Sequence, residues 1–206
     1  MSKKLNQIIA FNLFRLLSFI VVGVLFAILG FVIIRGMKVI SWEFLTSMPE
    51  EGMTKGGIFP AIIGTLCLMA GSIIVAFPIG VLSGIYMNEY LRETRKKKFL
   101  RMMTNNLSGV PSIVFGLFGM ALFVNQLKFG DSIVAGSLTL GLLVLPVIIR
   151  TTEESLKSVD DSFRIGSYAL GASKLQTIKK IVLPIAFPNI ITGLILSVGR
   201  VSGETA

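Results

Sequence analysis

Histidine is absent from this 206-residue chain, and cysteine occurs once. Without an imidazole no Ser-His-Asp triad can form, and without clustered thiols or imidazoles a transition-metal site has no ligand set. Cys67 cannot close an internal disulfide. It sits in an apolar run and reads as a small buried hydrophobe. The chain contains no G-x-x-x-x-G-K-[ST] loop, so it does not itself bind ATP in that manner. Two acidic pairs, Glu153 with Glu154 and Asp160 with Asp161, are adjacent in sequence. Neighbours on a helix point in different directions, so neither pair is a dyad, and all four read as solvated loop carboxylates. There is no internal repeat and no low-complexity tract. No catalytic residue, metal or cofactor is assigned.

Charge is scarce as well. Only 15% of residues are charged and 53% are hydrophobic, against about 25% charged in soluble domains. The chain is therefore read as an all-α integral membrane protein. Crossing a bilayer takes roughly 20 apolar residues. Five uncharged runs approach or exceed that length: 16–34, 58–87, 107–127, 132–149 and 181–199. Lipid offers backbone polar groups no partner, so each run is expected to be a helix. The first lacks an A-x-A-like end and reads as a retained anchor.

Basic residues give the expected orientation. Lys3, Lys4 and Arg15 precede the first run. Arg92, Arg95, Lys96, Lys97, Lys98 and Arg101 follow the second, and Arg150, Lys157, Arg164, Lys174, Lys179 and Lys180 follow the fourth. The opposite connections hold Arg35, Lys38, Lys55 and Lys128, matched by Glu43, Glu50, Glu51 and Asp131. A cytoplasmic N-terminus is expected. The net charge of +9 is topological and calls for no nucleic acid.

Residues 1–57 read as a basic tail, one span and an external loop in which Trp42 and Phe44 suit an interfacial position. Residues 58–206 read as a second unit holding the other spans. Gly80 with Gly84, and Gly199 with Gly203, are G-x-x-x-G pairs that allow close helix contact.

The segment 150–180 stands out, with ten charged residues among 31 between two apolar runs. Thr151-Thr152-Glu153-Glu154 reads as a helix start, with threonine caps and acids in the first turn. Gly166 and Gly171 would break a long helix. Leu170, Ala172, Leu175 and Ile178 fall at helical spacing and predict a second short helix, closed by Lys179 and Lys180. Two short helices joined at a glycine would make a compact knob. A helix lying on the membrane surface is the other reading of the same pattern.

These residues carry a resemblance. Tyr168-Ala169-Leu170-Gly171-Ala172-Ser173, followed after a gap by Ile181-Val182-Leu183-Pro184, resembles the "EAA" loop of ABC-importer permeases. Gly56-Gly57-Ile58-Phe59-Pro60-Ala61-Ile62, Asn88-Glu89-Tyr90, Gly109-Val110-Pro111-Ser112-Ile113-Val114-Phe115-Gly116 and the stretch 145–154 are similar to the phosphate-importer branch. The ending Gly203-Glu204-Thr205-Ala206 resembles the PstA-type subunit.

The resemblance implies a polytopic bundle of the type I ABC-importer permease fold, with about five membrane helices in the bacterial inner membrane. It implies a coupling loop at 150–184, carried by Arg164, Tyr168, Ala169, Gly171, Ala172, Ile181, Leu183 and Pro184. It also implies three partners: a second, PstC-like permease, a PstB-like cytoplasmic ATPase dimer and a PstS-like external phosphate-binding protein. Two departures accompany it. Ile165 stands where the loop usually has a glutamate, and family members continue past Gly-Glu-Thr-Ala into another span, so the chain is expected to be incomplete at its C-terminus.

Arg200 and Glu204, four residues apart, can pair on one helical face. If the fifth helix starts near Pro188, Arg200 lies ~18 Å along it, around the middle of a ~30 Å hydrocarbon layer. The same two residues also read as the external flank of the span. The re-entry into apolar territory implied by the resemblance favours a pathway charge. Arginine suits a phosphate dianion because its planar fork donates two hydrogen bonds. Arg150 is the second candidate, and also reads as an ordinary positive-inside flank. The expected function is the permease subunit of a phosphate importer. A permease for another oxyanion or small solute, or a membrane scaffold or sensor that transports nothing, are the alternatives.

Overall fold

The computed structural model describes residues 2–205, with side chains described from Gln7 onward except at Met53. The side chains of Lys3 and Lys4, and Ala206 at the end of the last motif, lie outside the described residues.

The chain forms two compact units, residues 1–61 and 62–206. In the first, the helix α1 (Ser2–Gly36) is followed by the short helix α2 (Trp42–Thr46) and a two-residue antiparallel ladder, β1 (Pro49–Glu50) with β2 (Lys55–Gly56). Over residues 16–34 α1 carries no charge on any face and its side chains are exposed almost throughout, as expected of a helix solvated by lipid. Ser41 caps α2 by accepting from the Phe44 amide at 3.1 Å. The segment after α1 thus carries short elements of its own, and Trp42 is exposed on it.

The second unit holds the bundle. Helix α3 (Phe59–Ile85) enters it from the first unit and ends in a π-helical turn, Tyr86–Tyr90. Then come α4 (Arg95–Ser108), α5 (Ser112–Gly119) with a second π turn over Met120–Gln126, and α6 (Ile133–Lys157). Helices α7 (Asp161–Ala169) and α8 (Lys174–Thr177) follow, and α8 passes through a third π turn, Ile178–Val182, into α9 (Leu183–Thr205).

Among the described residues, four helices are long and apolar enough to cross a membrane: Gln7–Gly36, Phe59–Tyr90, Ile133–Lys157 and Lys174–Thr205. The expected span at 107–127 is not one straight helix. Its chain bends by 95° between α4 and α5. Pro111 causes the break, because its ring removes an amide donor and keeps Val110 out of the helical region. What remains, Ser112–Gln126, is only ~20 Å long at ~1.5 Å per residue. The basic residues of α4 crowd its first two turns, where the helix dipole disfavours them. Glu93 offsets this by pairing with Lys97 at 2.8 Å.

Small residues let the three long helices approach. Ser72, Ala76, Gly80 and Gly84 form the buried stripe of α3, at a strict spacing of four. A Cβ on Gly80 would come 2.6 Å from Ile148 Cγ2, and one on Gly84 would come 2.7 Å from Thr152 Cβ. Gly71 meets Ser137 in the same way, so α3 and α6 run parallel. Helix α9 runs against them. Gly193 abuts Thr151, while Val182, Ala186 and Ile190 pack with Leu156 and Val159. Further along, Val201 joins Leu143, Val144 and Ile148.

Two expectations change here. Gly80 and Gly84 make the close contact their spacing predicts, but nothing lies within 4 Å of a Cβ on Gly199 or Gly203. Cys67 is exposed, not buried. It is nine residues from Ala76, which places it on the far side of α3 from the packed stripe.

Candidate functional site

The polar end of the bundle is built by helices that overrun their apolar segments. Thr151-Thr152-Glu153-Glu154 does not start a helix. It continues α6, which runs unbroken to Lys157. A helix that is already propagating has no reason to stop at two threonines, and Thr151 Oγ1 simply bonds back to the Val147 carbonyl at 2.9 Å. The true start is Asp160, whose carboxylate accepts from the Ser162 amide at 2.7 Å and caps α7. Hydrogen bonds from the Ser162 side chain and backbone hold the Asp160 carboxyl below the usual carboxylate range.

Arg164 is the staple of this end. Nη1 donates to the Val159 carbonyl, and Nη2 to the Leu156 carbonyl, both at 2.8 Å. Those carbonyls belong to the end of α6, where a helix leaves acceptors unpaired. Nη2 also donates to Glu89 Oε1 at 2.8 Å, and Nη1 to Asp161 Oδ1 at 3.0 Å. The Arg164 side chain is 13% exposed and that of Glu89 only 5%. Burial works against the guanidinium charge, but Glu89 and then Asp161 more than offset it and hold the Arg164 pKa above its ordinary value.

Gly171 closes α7 with φ +80°, a conformation few side chains adopt. Ser173 and Gln176 then form a capping box on α8. A buried hydrogen bond of 2.8 Å between the Ser167 and Thr177 hydroxyls joins the two short helices. Gly166 lies within α7 and breaks nothing. The second helix differs from expectation. Leu170 and Ala172 lie in the turn before it, and Lys179 and Lys180 do not close it, because the π turn carries the helix on into α9.

The predicted coupling residues divide into two groups. Arg164 is inside, and Ile181 and Leu183 are half-buried against the bundle. Tyr168, Ala169 and Pro184 are exposed, and with them Ile165, Leu175 and Leu170, the last 90% exposed. Leu170, Gly171, Ala172, Gln176 and Ile181 line one open concavity. The end of the bundle thus presents apolar side chains on a scaffold held by internal polar bonds.

Arg200 is half-buried. Gly193 is level with Thr151 on α6, and Arg200 lies seven residues further, so ~10 Å beyond that level, next in sequence to Val201, which packs with Val144. It therefore stands beside the uncharged stretch of α6, well inside Ile149. Helix α9 starts at Leu183, not near Pro188. Glu204 is exposed, and among the described residues no ion pair joins it to Arg200. Arg150 is exposed and pairs with Glu154 at 3.0 Å.

Sequence reasoning missed two pairs. Glu153 is buried rather than solvated, and Arg101 of α4 donates to it through Nε at 2.7 Å. Glu89 reads from sequence as an acid of a basic connection and as part of Asn88-Glu89-Tyr90, but it is buried against Arg164. Its one sequence signal is an acid ending a long apolar run. Among the described residues no group of three or more Cys, Asp or Glu converges as a metal site.

Residues 76–206 match the family described as binding-protein-dependent transport system inner membrane component. A probable ABC transporter permease protein, YqgI of Bacillus subtilis, is 35% identical over the whole chain, which spans 70% of that protein. The phosphate transport system permease protein PstA of Mycobacterium leprae is 45% identical over 77% of the chain. PstA of Pasteurella multocida is 38% identical over 87%. The chain spans 51% of the length of the first of these and 64% of the second. Among solved structures, an inward-facing form of the MetNI methionine ABC transporter matches with a TM-score of 0.57 over 71% of this chain and 68% of that one, at 18% identity, a likeness of fold. A match over residues 76–206, on a bundle of several long apolar helices, makes this chain a multi-pass membrane protein that belongs to the family of inner membrane components of binding-protein-dependent transport systems.

Proposed function

We propose that this chain is the PstA-type permease subunit of an ATP-driven importer of inorganic phosphate. Residues 58–206 would be the permease core and 150–184 its coupling loop, with the N-terminus in the cytoplasm. A second permease of PstC type would complete the pore, and an external binding protein would deliver the anion. ATP hydrolysis would occur on a separate cytoplasmic ATPase dimer, and the chain itself would be no enzyme.

The observation that carries this reading is the knob at the polar end. Leu170, Leu175, Ile165 and Tyr168 project from α7, α8 and the turn between them, while Arg164, Ser167 and Thr177 fix the scaffold beneath. An apolar patch on a rigid polar scaffold is the arrangement a protein partner docks on. ATP binding would draw the partner's halves together, push the knob, and rock α6 and α9 with it. Arg200, alongside the uncharged stretch of α6, would lower the electrostatic barrier to an anion. The relatives whose names carry phosphate transport support the substrate.

A second reading, a permease for another oxyanion or small solute, is compatible with YqgI, which is 35% identical over the whole chain and whose name specifies no substrate. Proteoliposomes containing all partners test the proposal. ATP-dependent phosphate uptake is expected, and Leu170→Glu is expected to abolish ATPase capture by the permease with its fold intact. Uptake of another oxyanion in preference to phosphate would favour the second reading. Capture unchanged by Leu170→Glu would remove the docking role.

A further inference from the structure

We propose that Glu89, on the π turn at the end of α3, is a positioning residue that relays movement of the knob into α3. The inference rests on the coupling role proposed above and names the path the movement takes.

The covalent chain connects the knob to α6 on one side and α9 on the other. Helix α3 has no such connection, since Glu89 and Arg164 are 75 residues apart. Yet the turn Tyr86–Tyr90 is held from both short helices. Arg164 of α7 reaches Glu89 at 2.8 Å. The Lys174 ammonium, at the start of α8, lies 4.9 Å from the centre of the Tyr90 ring. Asn88 adds a donor to the same Glu89 oxygen at 2.9 Å.

The Arg164–Glu89 pair is nearly dry. A buried pair with further hydrogen bonds strongly resists separation, because parting it would leave each charge unsolvated. The two other Arg164 bonds, to Leu156 and Val159, anchor the same guanidinium to α6. One side chain thus ties α3, α6 and α7 together, and a displacement of α7 carries the end of α3 with it. Higher up, α3 meets α6 through Gly80 and Gly84, where close packing transmits displacement with little give. The knob therefore drives α3, α6 and α9 as one body. The pair stays closed throughout the transport cycle.

The test uses the assembled transporter with a full-length permease, measuring phosphate uptake and ATP hydrolysis together. In a Cys67→Ser background, Glu89→Cys with Arg164→Cys is expected to lower uptake per ATP hydrolysed at least tenfold. Because Arg164 also holds the docking scaffold, ATPase capture is read on Glu89→Gln, where it is expected to be unchanged. Joining the two thiols with a short bifunctional methanethiosulfonate is expected to restore at least half of the coupling, and reductant to remove it again. Glu89→Gln, which keeps the side-chain volume, is expected to lower the same ratio at least threefold.

The relay is overturned if both variants keep the wild-type ratio, or if joining the thiols stops uptake, which would mean the contact must open. It is also overturned if Glu89→Gln lowers ATPase capture along with the ratio, because the pair would then only shape the docking face. Absence of ATP-driven phosphate uptake by the wild-type assembly would count instead against the phosphate reading.

Discussion

At the scale of single residues, burial separates charges that sequence treats alike. Glu153 and Glu154 are neighbours, but Glu153 points inward to Arg101 and Glu154 points outward to Arg150. Arg200 and Arg150 differ similarly. Arg150 has a carboxylate partner in Glu154, whereas Arg200 is half-buried next to Val201, which packs against Val144. Arg200→Ala is expected to cut ATP-driven phosphate uptake at least tenfold while leaving assembly with the ATPase intact, measured by uptake and co-purification. Unchanged uptake would remove Arg200 from the pathway. Asp160 makes a prediction in pH. Its carboxyl is held low by the Ser162 hydrogen bonds, so its capping contribution is complete above the unfolded value near ~3.9 and is lost as pH falls through the lower folded value. Amide exchange in α7 should therefore be insensitive to pH-linked uncapping above ~4. Asp160→Ala should speed exchange there at neutral pH and abolish the acid-side change.

At the scale of elements, packing rests on absent side chains. The α3–α6 contact exists because Gly80 and Gly84 let two backbones meet, and the neighbours Ile148 and Thr152 leave no room for a larger residue. Gly84→Leu is expected to destabilise the bundle by about 1–3 kcal/mol, typical of overpacking, read as a lowered midpoint of thermal unfolding in detergent. The same change at Gly203, where a Cβ meets nothing within 4 Å, is expected to be nearly neutral within this chain. The G-x-x-x-G spacing was legible at both sites, but only neighbours distinguish a packed pair from an open one. The knob shows the same limit. Its position between two apolar runs could be read from charge density, and so could its break at Gly171. Its internal borders could not, because a helix propagates through marginal residues once its neighbours hold it. That is why α6 overruns Thr151 and why α8 flows into α9.

At the scale of the whole molecule, the distribution of basic residues predicts a cytoplasmic N-terminus and a cytoplasmic knob. Thiol labelling checks this in the Cys67→Ser background. Leu170→Cys should react with an impermeant maleimide only after the cells are permeabilised, and Thr54→Cys should react without it. The reverse pattern would invert the topology and end the proposed ATPase coupling.

Membrane class and the existence of four of the long apolar helices were determined by the sequence alone, because each is a property of local composition: hydrocarbon excludes charge wherever it occurs along the chain. The 95° bend at Pro111 was available locally too, although the uncharged run around it concealed it. The Arg164–Glu89 and Arg101–Glu153 pairs, the choice of Gly80 and Gly84 over Gly199 and Gly203, and the level of Arg200 were decided only by tertiary structure. Each joins residues distant in the chain, and whether a buried charge finds its partner depends on which helices pack and in what register.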